Sequence, residues 1–476
     1  MKPKSRTPRS PSRQPQHRPS RPERLQAQVP TASAGKRGLR EDLVLTTALE
    51  VQALVTVEGW LADRALEAVL RRKKALYATE RRAVAERVYA LLRRGRTIDW
   101  LLGWAHPRFA ALDGSRQDAL RLACARTFMD EDLGAVIATA GVGEDDRRAL
   151  ARLPDAAAAL DALPPTERFP IAASLPDFLA DRFLETFGED AERAAEAMNE
   201  RAPLTARVNL LKGTREQLLI QLGREGVKAR PCPFSPLGVF LETRLNAFSL
   251  ESFKEGWFEI QDEGSQLLGM LVDAPPTRVV DACAGAGGKT LQLAAQMKNR
   301  GDLHALDIEP KRMDELKRRA RRAGVHNVRT KLIPASGPEA DAAVAELGAL
   351  ADRVLVDAPC SGTGTFRRKP DARYRLGEED LAMHVERQRT LIERFSRLVK
   401  PGGRLIYGTC SILRAENEDV LQDFLGRHPE FSVMPVSELL GAELAESLGV
   451  GPYLRLAPHL HGTDGFFGAV LVRAKA

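Results

Sequence analysis

The chain has 476 residues, of which 43% are hydrophobic and 28% charged, a composition typical of soluble globular proteins. Its length predicts two or three domains, and the lack of any run of about 18 apolar residues excludes a membrane-spanning helix. The net charge of +7 arises in residues 1–40, which hold eleven Lys or Arg and one acidic residue, whereas the remainder holds 60 basic and 63 acidic residues.

Residues 1–39 form a basic tail rich in Pro, Ser and Arg, beginning MKPKSRTPRSPSRQPQHRPSRPER. Because so few apolar side chains cannot offset the chain entropy, we expect this tail to be disordered. It is interpreted either as an arm that binds nucleic-acid phosphates non-specifically or as a solvated tail. Its seven prolines argue against the amphipathic helix of a mitochondrial transit peptide.

Residues 40–165 have the pattern of an all-helical domain. The segments EDLVLTTALEVQALVTVEGWLADRALEAVL and ERRAVAERVYALLRRGRTIDWLLGWA place apolar residues at intervals of three and four. Proline is rare until the stretch RLPDAAAALDALPPTERFP, which we interpret as a linker. The expected role of this domain is docking of a partner or of RNA.

Residues 166–260 are expected to contain linker helices and a small α+β RNA-binding module. The run TARVNLLKGTREQLLIQLGREGVKARPC predicts a strand, a helix and a strand, with Gly213 and Thr214 at the start of the helix. Arg207, Asn209 and Lys212 are candidates for phosphate contacts, the alternative being an ordinary solvated face.

Residues 261–476 alternate between short β-rich runs and helical segments. The predicted strands lie in RVVDAC, DLHALDI, VRTKLI, DRVLVDAP, GRLIYGTC and FFGAVLVRA. The clearest helices are SQLLGMLVDA, LQLAAQMKNR, MDELKRRARRAG and RQRTLIERFSRLVKPGG. This alternation predicts a doubly wound, mostly parallel α/β sheet that binds its ligands at the carboxyl ends of the strands.

The stretch VVDACAGAGGKT ends like a nucleotide-binding P-loop but does not match one. A P-loop needs glycine where Cys283 stands, and the dinucleotide fingerprint needs a third glycine where Thr290 stands. The remaining interpretation is a glycine-rich turn between a strand and a helix. Because glycine has no side chain, such a turn lets an extended ligand contact the backbone directly. Asp307, at the end of the next strand, is a candidate acceptor for the two ribose hydroxyls of a nucleoside.

The five cysteines are scattered, odd in number and without a C-x-x-C pair, so they predict neither a disulfide framework nor a zinc site. With no apolar signal peptide, we expect a cytoplasmic protein. Cys360 and Cys410 both follow predicted strands at the edge where this fold binds ligands. Either alone would be read as an inert small apolar residue, but together with Asp357 they form a candidate catalytic group.

Four motifs resemble the RNA (cytosine-5)-methyltransferases of the RsmB/Nop type, also called Sun or Fmu proteins: QDEGSQL, DACAGAGGKT, DAPCSGTGTFRRKPD and KPGGRLIYGTCSILRAENE. The resemblance covers the chain from about Ala206 onward, and the helical region resembles more weakly the NusB-like domain of the bacterial 16S rRNA subgroup. It implies a Rossmann-like class I methyltransferase domain of EC class 2.1.1, an RRM-like module, S-adenosylmethionine as methyl donor, and no metal.

The same resemblance implies a role for each site residue. Cys410 would attack carbon 6 of cytosine, Cys360 would assist release of the adduct, and Asp357 would position the base beside the donor. Asp307 would bind the ribose, and Ser336 would lie near the adenine, where the family usually has an acidic residue. Asp357 would also contact the donor, and the other donor-binding residues would be Cys283, Ala284, Gly285, Ala286, Gly287, Gly288 and Lys289.

The predicted RNA contacts are Lys212, Arg367, Arg368 and Lys369, the alternative being a solvated basic loop. The resemblance favours 16S rRNA as substrate, with tRNA as the alternative. A second hypothesis is an RNA-binding assembly factor with a degenerate methyltransferase domain, motivated by the departure at Ala335 or Ser336. A third, an ATP-dependent enzyme suggested by GGKT, is disfavoured by the missing glycine.

Overall fold

The computed structural model describes residues 39–242 and 245–475, so the predicted tail lies outside the described residues except for Leu39. Within the unit Glu41–Ala476, a helical region, a small antiparallel sheet and a larger sheet follow one another along the chain. Among the described residues, no helix is both long enough and apolar enough to cross a bilayer.

The first region is all-helical, as its apolar spacing predicts. Val44, Val88 and Leu120, from three different helices, are buried in one apolar core. The third helix departs from helical geometry at Arg94, where φ is −121° and ψ is 15°. The helices are α1 (Glu41–Thr56), α2 (Ala62–Arg72), α3 (Ala78–Ala105), α4 (Gly114–Thr127), α5 (Leu133–Thr139), α6 (Glu144–Ala151) and α7 (Leu153–Asp161).

The proline-marked stretch, predicted to be a linker, is instead helical. It contains α7 and most of helix α8 (Pro165–Ala172), and Leu153 and Leu160 pack into the core of the helical region. Pro154 and Pro165 lie in the first turns of these helices, where the missing N–H group removes no intrahelical hydrogen bond. These prolines therefore begin helices, and the linker prediction is wrong.

Three helices connect the first region to the small sheet: α8, α9 (Asp177–Phe187) and α10 (Ala191–Asn199). We call them the helical layer. The core of this layer contains Phe183 and Met198, and it also contains Phe366, Ile412 and Leu413 from much later in the chain. The layer is thus packed against segments that follow the strands of the large sheet.

The small sheet is antiparallel, with the strand order β2-β3-β1-β4. Its elements are β1 (Thr205–Val208), α11 (Arg215–Arg224), β2 (Ala229–Pro231), β3 (Gly238–Leu241), α12 (Glu251–Lys254) and β4 (Phe258–Ile260). The predicted strand, helix and strand are confirmed. The hydroxyl of Thr214 caps α11 by accepting a hydrogen bond from the N–H of Gln217, at 3.3 Å.

The large sheet has the strand order β10-β12-β9-β8-β5-β6-β7, and β11 pairs with β12. Strands β5 to β9 are parallel, whereas β12 runs antiparallel to β9, so the predicted mostly parallel sheet is confirmed. The strands are β5 (Arg278–Asp281), β6 (Asp302–Asp307), β7 (Val328–Leu332), β8 (Ala351–Asp357), β9 (Val399–Thr409), β10 (Phe431–Met434), β11 (Leu454–Leu456) and β12 (Phe466–Arg473).

Helices cover both faces of this sheet, as the alternation of elements predicts. They are α13 (Glu263–Met270), α14 (Gly288–Gln296), α15 (Pro310–Ala323), α16 (Gly337–Ala345), α17 (Glu378–Ser396), α18 (Glu418–Arg427), α19 (Ser437–Leu440), α20 (Ala442–Ser447) and α21 (Pro458–His461). The predicted helix RQRTLIERFSRLVKPGG is only partly right, because α17 ends at Ser396 and Val399 pairs with Ala351 at the start of β9.

Candidate active site

The carboxyl ends of β5, β6, β8 and β9 lie at one edge of the large sheet, where the strand order reverses between β5 and β8. In open α/β sheets, such a reversal opens a crevice in which ligands bind. The predicted residues Cys283, Asp307, Asp357 and Cys410 lie at or just beyond these four strand ends. The topology therefore brings together residues that are far apart in the sequence.

The loop after β5 is the predicted glycine turn, and it reaches the left-handed region at Gly285 (φ +54°) and Gly287 (φ +88°). The N–H of Gly285 donates to Oδ2 of Asp307 at 2.8 Å, and the N–H of Glu309 donates to Oδ1 at 2.8 Å. A Cβ added at Gly285 would meet nothing within 4 Å, whereas one at Gly287 would lie 2.8 Å from Leu316. The turn is therefore open at Gly285 and packed against α15 at Gly287.

Asp281, at the end of β5, lies behind this turn and is 1% exposed. Burial raises the pKa of Asp281 to about 7, although a hydrogen bond donated by the Thr290 hydroxyl, at 2.7 Å, opposes the rise. Because Asp281 holds this hydroxyl, the GGKT sequence does not present the free hydroxyl that a P-loop directs toward Mg²⁺. The geometry thus agrees with the rejection of the P-loop reading.

Cys360 and Cys410 are brought together by two neighbouring parallel strands, with their Sγ atoms 3.3 Å apart. The hydrogen bond from Cys360 lowers the pKa of the Cys410 thiol, and Lys289 acts in the same direction, against burial and the charge of Asp357. The same hydrogen bond, together with burial, raises the pKa of Cys360. Cys410 is therefore the thiol of the pair that ionises first.

Lys289 and Asp357 form an ion pair beside the cysteines, with Nζ 2.7 Å from Oδ2. The Lys289 side chain is 9% exposed and its Nζ lies 5.4 Å from the ring centre of Phe466, whereas the Asp357 side chain is 29% exposed. The sequence singled out both residues but not their pairing, because they are 68 residues apart in different loops. Asp357 remains accessible to a ligand in the crevice.

Glu416 supports the site and was not singled out from the sequence. It is 0% exposed, and its carboxylate accepts from the N–H of Ser361 at 2.8 Å and from the Gln388 side chain at 2.9 Å. It therefore ties the loop that carries Cys360 to the segment that follows Cys410. In the sequence, Glu416 is simply a glutamate within SILRAENE. Acidic side chains in such a run are typical of an exposed helix start, so the sequence did not indicate a buried carboxylate.

The four predicted RNA contacts divide into two pairs. Lys212 and Lys369 are exposed. Arg367 is 4% exposed and donates to Asp464 at 2.7 Å, and Arg368 pairs with both Asp464 and Asp262. Because internal carboxylates hold both arginines, and Arg367 is buried, the structure does not support a phosphate contact for Arg367.

Arg207 and Asn209, the other candidates for phosphate contacts, are buried between the small and large sheets. Arg207 donates to the carbonyl oxygen of Gly288 at 2.8 Å, and Asn209 donates to the carbonyl oxygens of Gly256 and Ala323, each at 2.8 Å. These two residues join β1 to the starts and ends of helices of the large sheet. That role replaces the proposed phosphate contact, because neither side chain faces solvent.

The predicted adenine region lies beyond β6 and β7. Ser336 is exposed just before α16, as is Ala335. Leu332 is the register partner of Asp307 and is 50% exposed, and Ile308 is 55% exposed. Two exposed apolar side chains therefore lie at this edge, beside the carboxylate of Asp307.

Comparison with known protein families places this architecture among RNA-modifying proteins. The family described as 16S rRNA methyltransferase RsmB/F matches residues 270–472, and the ferredoxin-like domain of RsmF/B-like methyltransferases matches residues 175–247. A probable ribosomal RNA small subunit methyltransferase B of Bacillus subtilis is 33% identical over 64% of this chain and 67% of its own length. One from Synechocystis is 30% identical over 87% of this chain and 94% of its own length.

Solved structures share the same arrangement. The protein in the crystal structure of PH0851 is 26% identical to this chain, and the two structures superpose with a TM-score of 0.70. The match covers 92% of this chain and 100% of the PH0851 chain. A methyltransferase homolog protein from Pyrococcus horikoshii is 29% identical, with a TM-score of 0.55, and covers 65% of this chain and 99% of its own. The similarity to PH0851 therefore extends over the helical region as well as the two sheets.

Proposed function

This chain belongs to the RsmB/F family of 16S rRNA methyltransferases, and we propose that it methylates carbon 5 of a cytosine in 16S rRNA. The observation that carries the proposal is the pair of thiols, Cys360 and Cys410, whose sulfurs are 3.3 Å apart at adjacent strand ends. Carbon 5 of cytosine is a weak nucleophile, so its methylation needs covalent activation by a side chain. A thiol of lowered pKa meets that need.

The residues around the glycine turn fit S-adenosylmethionine as the methyl donor. Asp307, oriented by two backbone N–H groups, offers carboxylate oxygens to ribose hydroxyls, and the open space at Gly285 admits an extended ligand. The exposed Ile308 and Leu332 offer apolar surface to a purine ring in place of the usual acidic residue. When bound, S-adenosylmethionine supplies an electrophilic methyl group on a positively charged sulfur.

Cys410 is the proposed nucleophile. Its thiolate adds to carbon 6 of cytosine, forming a sulfur–carbon bond, and the displaced ring electrons make carbon 5 nucleophilic. Lys289 stabilises the thiolate before the attack, and Asp357 holds the polar edge of the base through its carboxyl group. These two residues thus prepare the thiol and orient the ring.

Cys360 is proposed to assist release of the methylated base. Once Cys410 is bonded to carbon 6, the thiolate that accepted the hydrogen bond of Cys360 no longer exists. After carbon 5 has gained the methyl group, the Cys360 thiol loses its proton to solvent and the resulting thiolate accepts the proton of carbon 5. The electron pair left on carbon 5 restores the double bond between carbons 5 and 6, and the Cys410 thiolate is expelled. Cys360, placed next to Cys410, is the group available to take part in this proton transfer.

The RNA is expected to present an unpaired cytosine, because a base must leave its stack to reach a buried thiol. Base edges in A-form duplexes are poorly accessible, so a loop or single-stranded segment is the expected target. We propose that the exposed Lys212 and Lys369, and the NusB-like helical region, contact the RNA backbone. tRNA is the alternative substrate.

Bisulfite sequencing of total RNA from a strain lacking this protein tests the reaction and the substrate together. We expect one methylated cytosine of 16S rRNA to be lost, and to be restored by the wild-type chain but not by Cys410→Ala. A loss confined to tRNA would transfer the assignment to tRNA, and unchanged methylation in both RNAs would overturn it. Calorimetry with S-adenosylmethionine separates the enzyme from a degenerate assembly factor, which would not bind the donor.

A further inference from the structure

The two loops that carry the cysteines are anchored in the helical layer. Phe366, six residues after Cys360, is 0% exposed, and Leu413, three residues after Cys410, is 1% exposed. Both side chains belong to the apolar core of α8, α9 and α10. Because closely packed cores transmit displacements, the position of the layer bears directly on the spacing of the two thiols.

Arg373 is the polar centre of this contact and is 0% exposed. Its guanidinium donates to the side-chain oxygen of Asn199 at 2.6 Å, and its described acceptors are otherwise backbone carbonyl oxygens. Those carbonyls belong to Arg93, Ala173, Ser174 and Met198, at 3.3 to 3.5 Å.

These acceptors share a position in the fold, because they lie at helix ends. Ala173 and Ser174 follow α8, Met198 is in the last turn of α10, and Arg93 precedes the irregular residue of α3. Carbonyl groups at the end of a helix lack intrahelical partners and carry partial negative charge, so they suit a buried cation. Burial lowers the pKa of Arg373 to about 10, which leaves it protonated at neutral pH.

Neighbouring residues strengthen the same contact. The hydroxyls of Tyr374 and Ser174 are 3.1 Å apart, Arg93 donates to the carbonyl oxygen of Arg367 at 3.1 Å, and the N–H of Ala62 donates to Asp371 at 3.3 Å. The segment after the Cys360 loop is thus held by α2, α3 and the helical layer.

On the other side, the same loop is closely bound to the segment carrying Cys410. The N–H of Gly364 donates to the carbonyl oxygen of Cys410 at 2.9 Å. A Cβ added at Gly364 would lie 2.2 Å from the carbonyl oxygen of Gly465, so this backbone contact leaves no free space. The Cys360 loop is therefore fixed at two points, at Gly364 by the Cys410 segment and at Arg373 by the helical layer, and loss of the second leaves it held only at the first.

We propose that Arg373 is a positioning residue for methyl transfer, acting by seating the Cys360 loop on the helical layer so that the two thiols stay in contact. The inference rests on the proposed function, in which these thiols perform the chemistry. The helical part of the chain then has a role in the chemical step besides any docking of RNA.

The test compares Arg373→Met with Arg81→Met in the full-length chain. Arg81 is a matched control, because it also donates to backbone carbonyls at a helix end, those of Leu70, Lys73 and Leu76, but lies within the helical region. The readout is the pH profile of Cys410 alkylation by iodoacetamide, followed by peptide mass spectrometry. It needs neither donor nor RNA.

Cys410 faces Cys360, Asp357, Lys289 and Glu416, and among these groups Arg373→Met is expected to displace Cys360. We expect the alkylation profile to move to higher pH, with about tenfold slower alkylation near pH 7, whereas Arg81→Met leaves it unchanged. In methylation assays, Arg373→Met should lower kcat about 30-fold or more while KM for RNA changes less than about threefold.

A second, smaller substitution keeps the proposal testable if Arg373→Met does not fold. Tyr374→Phe removes only the hydroxyl that contacts Ser174, and it should move the alkylation profile in the same direction by a smaller amount. The proposal would be overturned if Arg373→Met were less stable but had the same Cys410 alkylation profile and the same kcat as Arg81→Met. If Arg373→Met does not fold, an unshifted alkylation profile in Tyr374→Phe would overturn it. Shifted alkylation in a chain whose wild type methylates no RNA would uphold the positioning role and refute the proposed function instead.

Discussion

The two sides of the crevice are built differently. On the donor side, the glycine turn and Asp307 are held by backbone N–H groups from Gly285 and Glu309, close to the strands that carry them. On the cysteine side, the Cys360 loop is held by longer-range contacts: Ser361 donates to Glu416, 55 residues later, and Arg373 donates to Asn199, 174 residues earlier. From this difference we expect substitutions on the donor side to change the KM for the methyl donor. Substitutions on the cysteine side should instead change the rate of methyl transfer.

The largest effect is expected for Cys410→Ala, because it removes the proposed nucleophile. We expect kcat to fall by more than about 1,000-fold in a methyl-transfer assay with 16S rRNA. Cys124→Ala is the control, since Cys124 is buried in the core of the helical region and should leave the rate unchanged. A Cys410→Ala enzyme within tenfold of wild type would remove the cysteine side from the mechanism.

Lys289→Met should lower kcat/KM about 30-fold near pH 7, because it removes the cation that favours the Cys410 thiolate. The thiolate is the reactive form, so the rate falls as pH falls through the pKa of Cys410. Lys289→Met raises the pKa of Cys410, so the acid limb of the pH–rate profile, over which the rate falls, moves to higher pH. Alkaline buffer should therefore restore part of the rate. Measured pH–rate profiles check this expectation.

The control for Lys289→Met is Lys400→Met. Lys400 pairs with Asp352 at the opposite edge of the same sheet, so its removal breaks an ion pair without touching the crevice. An acid limb that stays at the wild-type pH in Lys289→Met would show that this lysine does not act on the thiol.

Asp307→Asn should have a smaller effect, confined to the donor side. We expect KM for S-adenosylmethionine to rise about tenfold, with kcat changed less than about threefold, because one charge-assisted hydrogen-bond acceptor is weakened. Asp302→Asn, at the start of the same strand, is the control. A fall in kcat without a change in donor KM would contradict the division between the two sides.

Local patterns in the sequence predicted much of the fold. The six predicted strands of the large sheet and the glycine turn follow from runs of neighbouring residues, and the structure confirms them. Two small strands of the same sheet, β10 and β11, were not predicted. The linker prediction failed because Pro154 and Pro165 can begin helices as well as end them.

The support of the site could not be predicted in the same way. The contact between Cys360 and Cys410 joins residues 50 apart, and the pairing of Arg367 with Asp464 joins residues 97 apart. Such contacts depend on the order of strands in the sheet, which residue types and spacing do not specify. A buried arginine such as Arg373 has the same residue type as an exposed one, so a basic run such as FRRKPDAR is naturally read as a solvated surface.

The most direct test of the account is to trap the covalent intermediate with Cys360→Ala. Incubated with 16S rRNA and S-adenosylmethionine, this variant should accumulate a protein–RNA complex that survives denaturing electrophoresis, because attack proceeds while release is slowed. Nuclease digestion and mass spectrometry should then find a methylated cytidine on the peptide that contains Cys410. A trapped cytidine on any other residue, or full turnover without a trapped complex, would contradict the account.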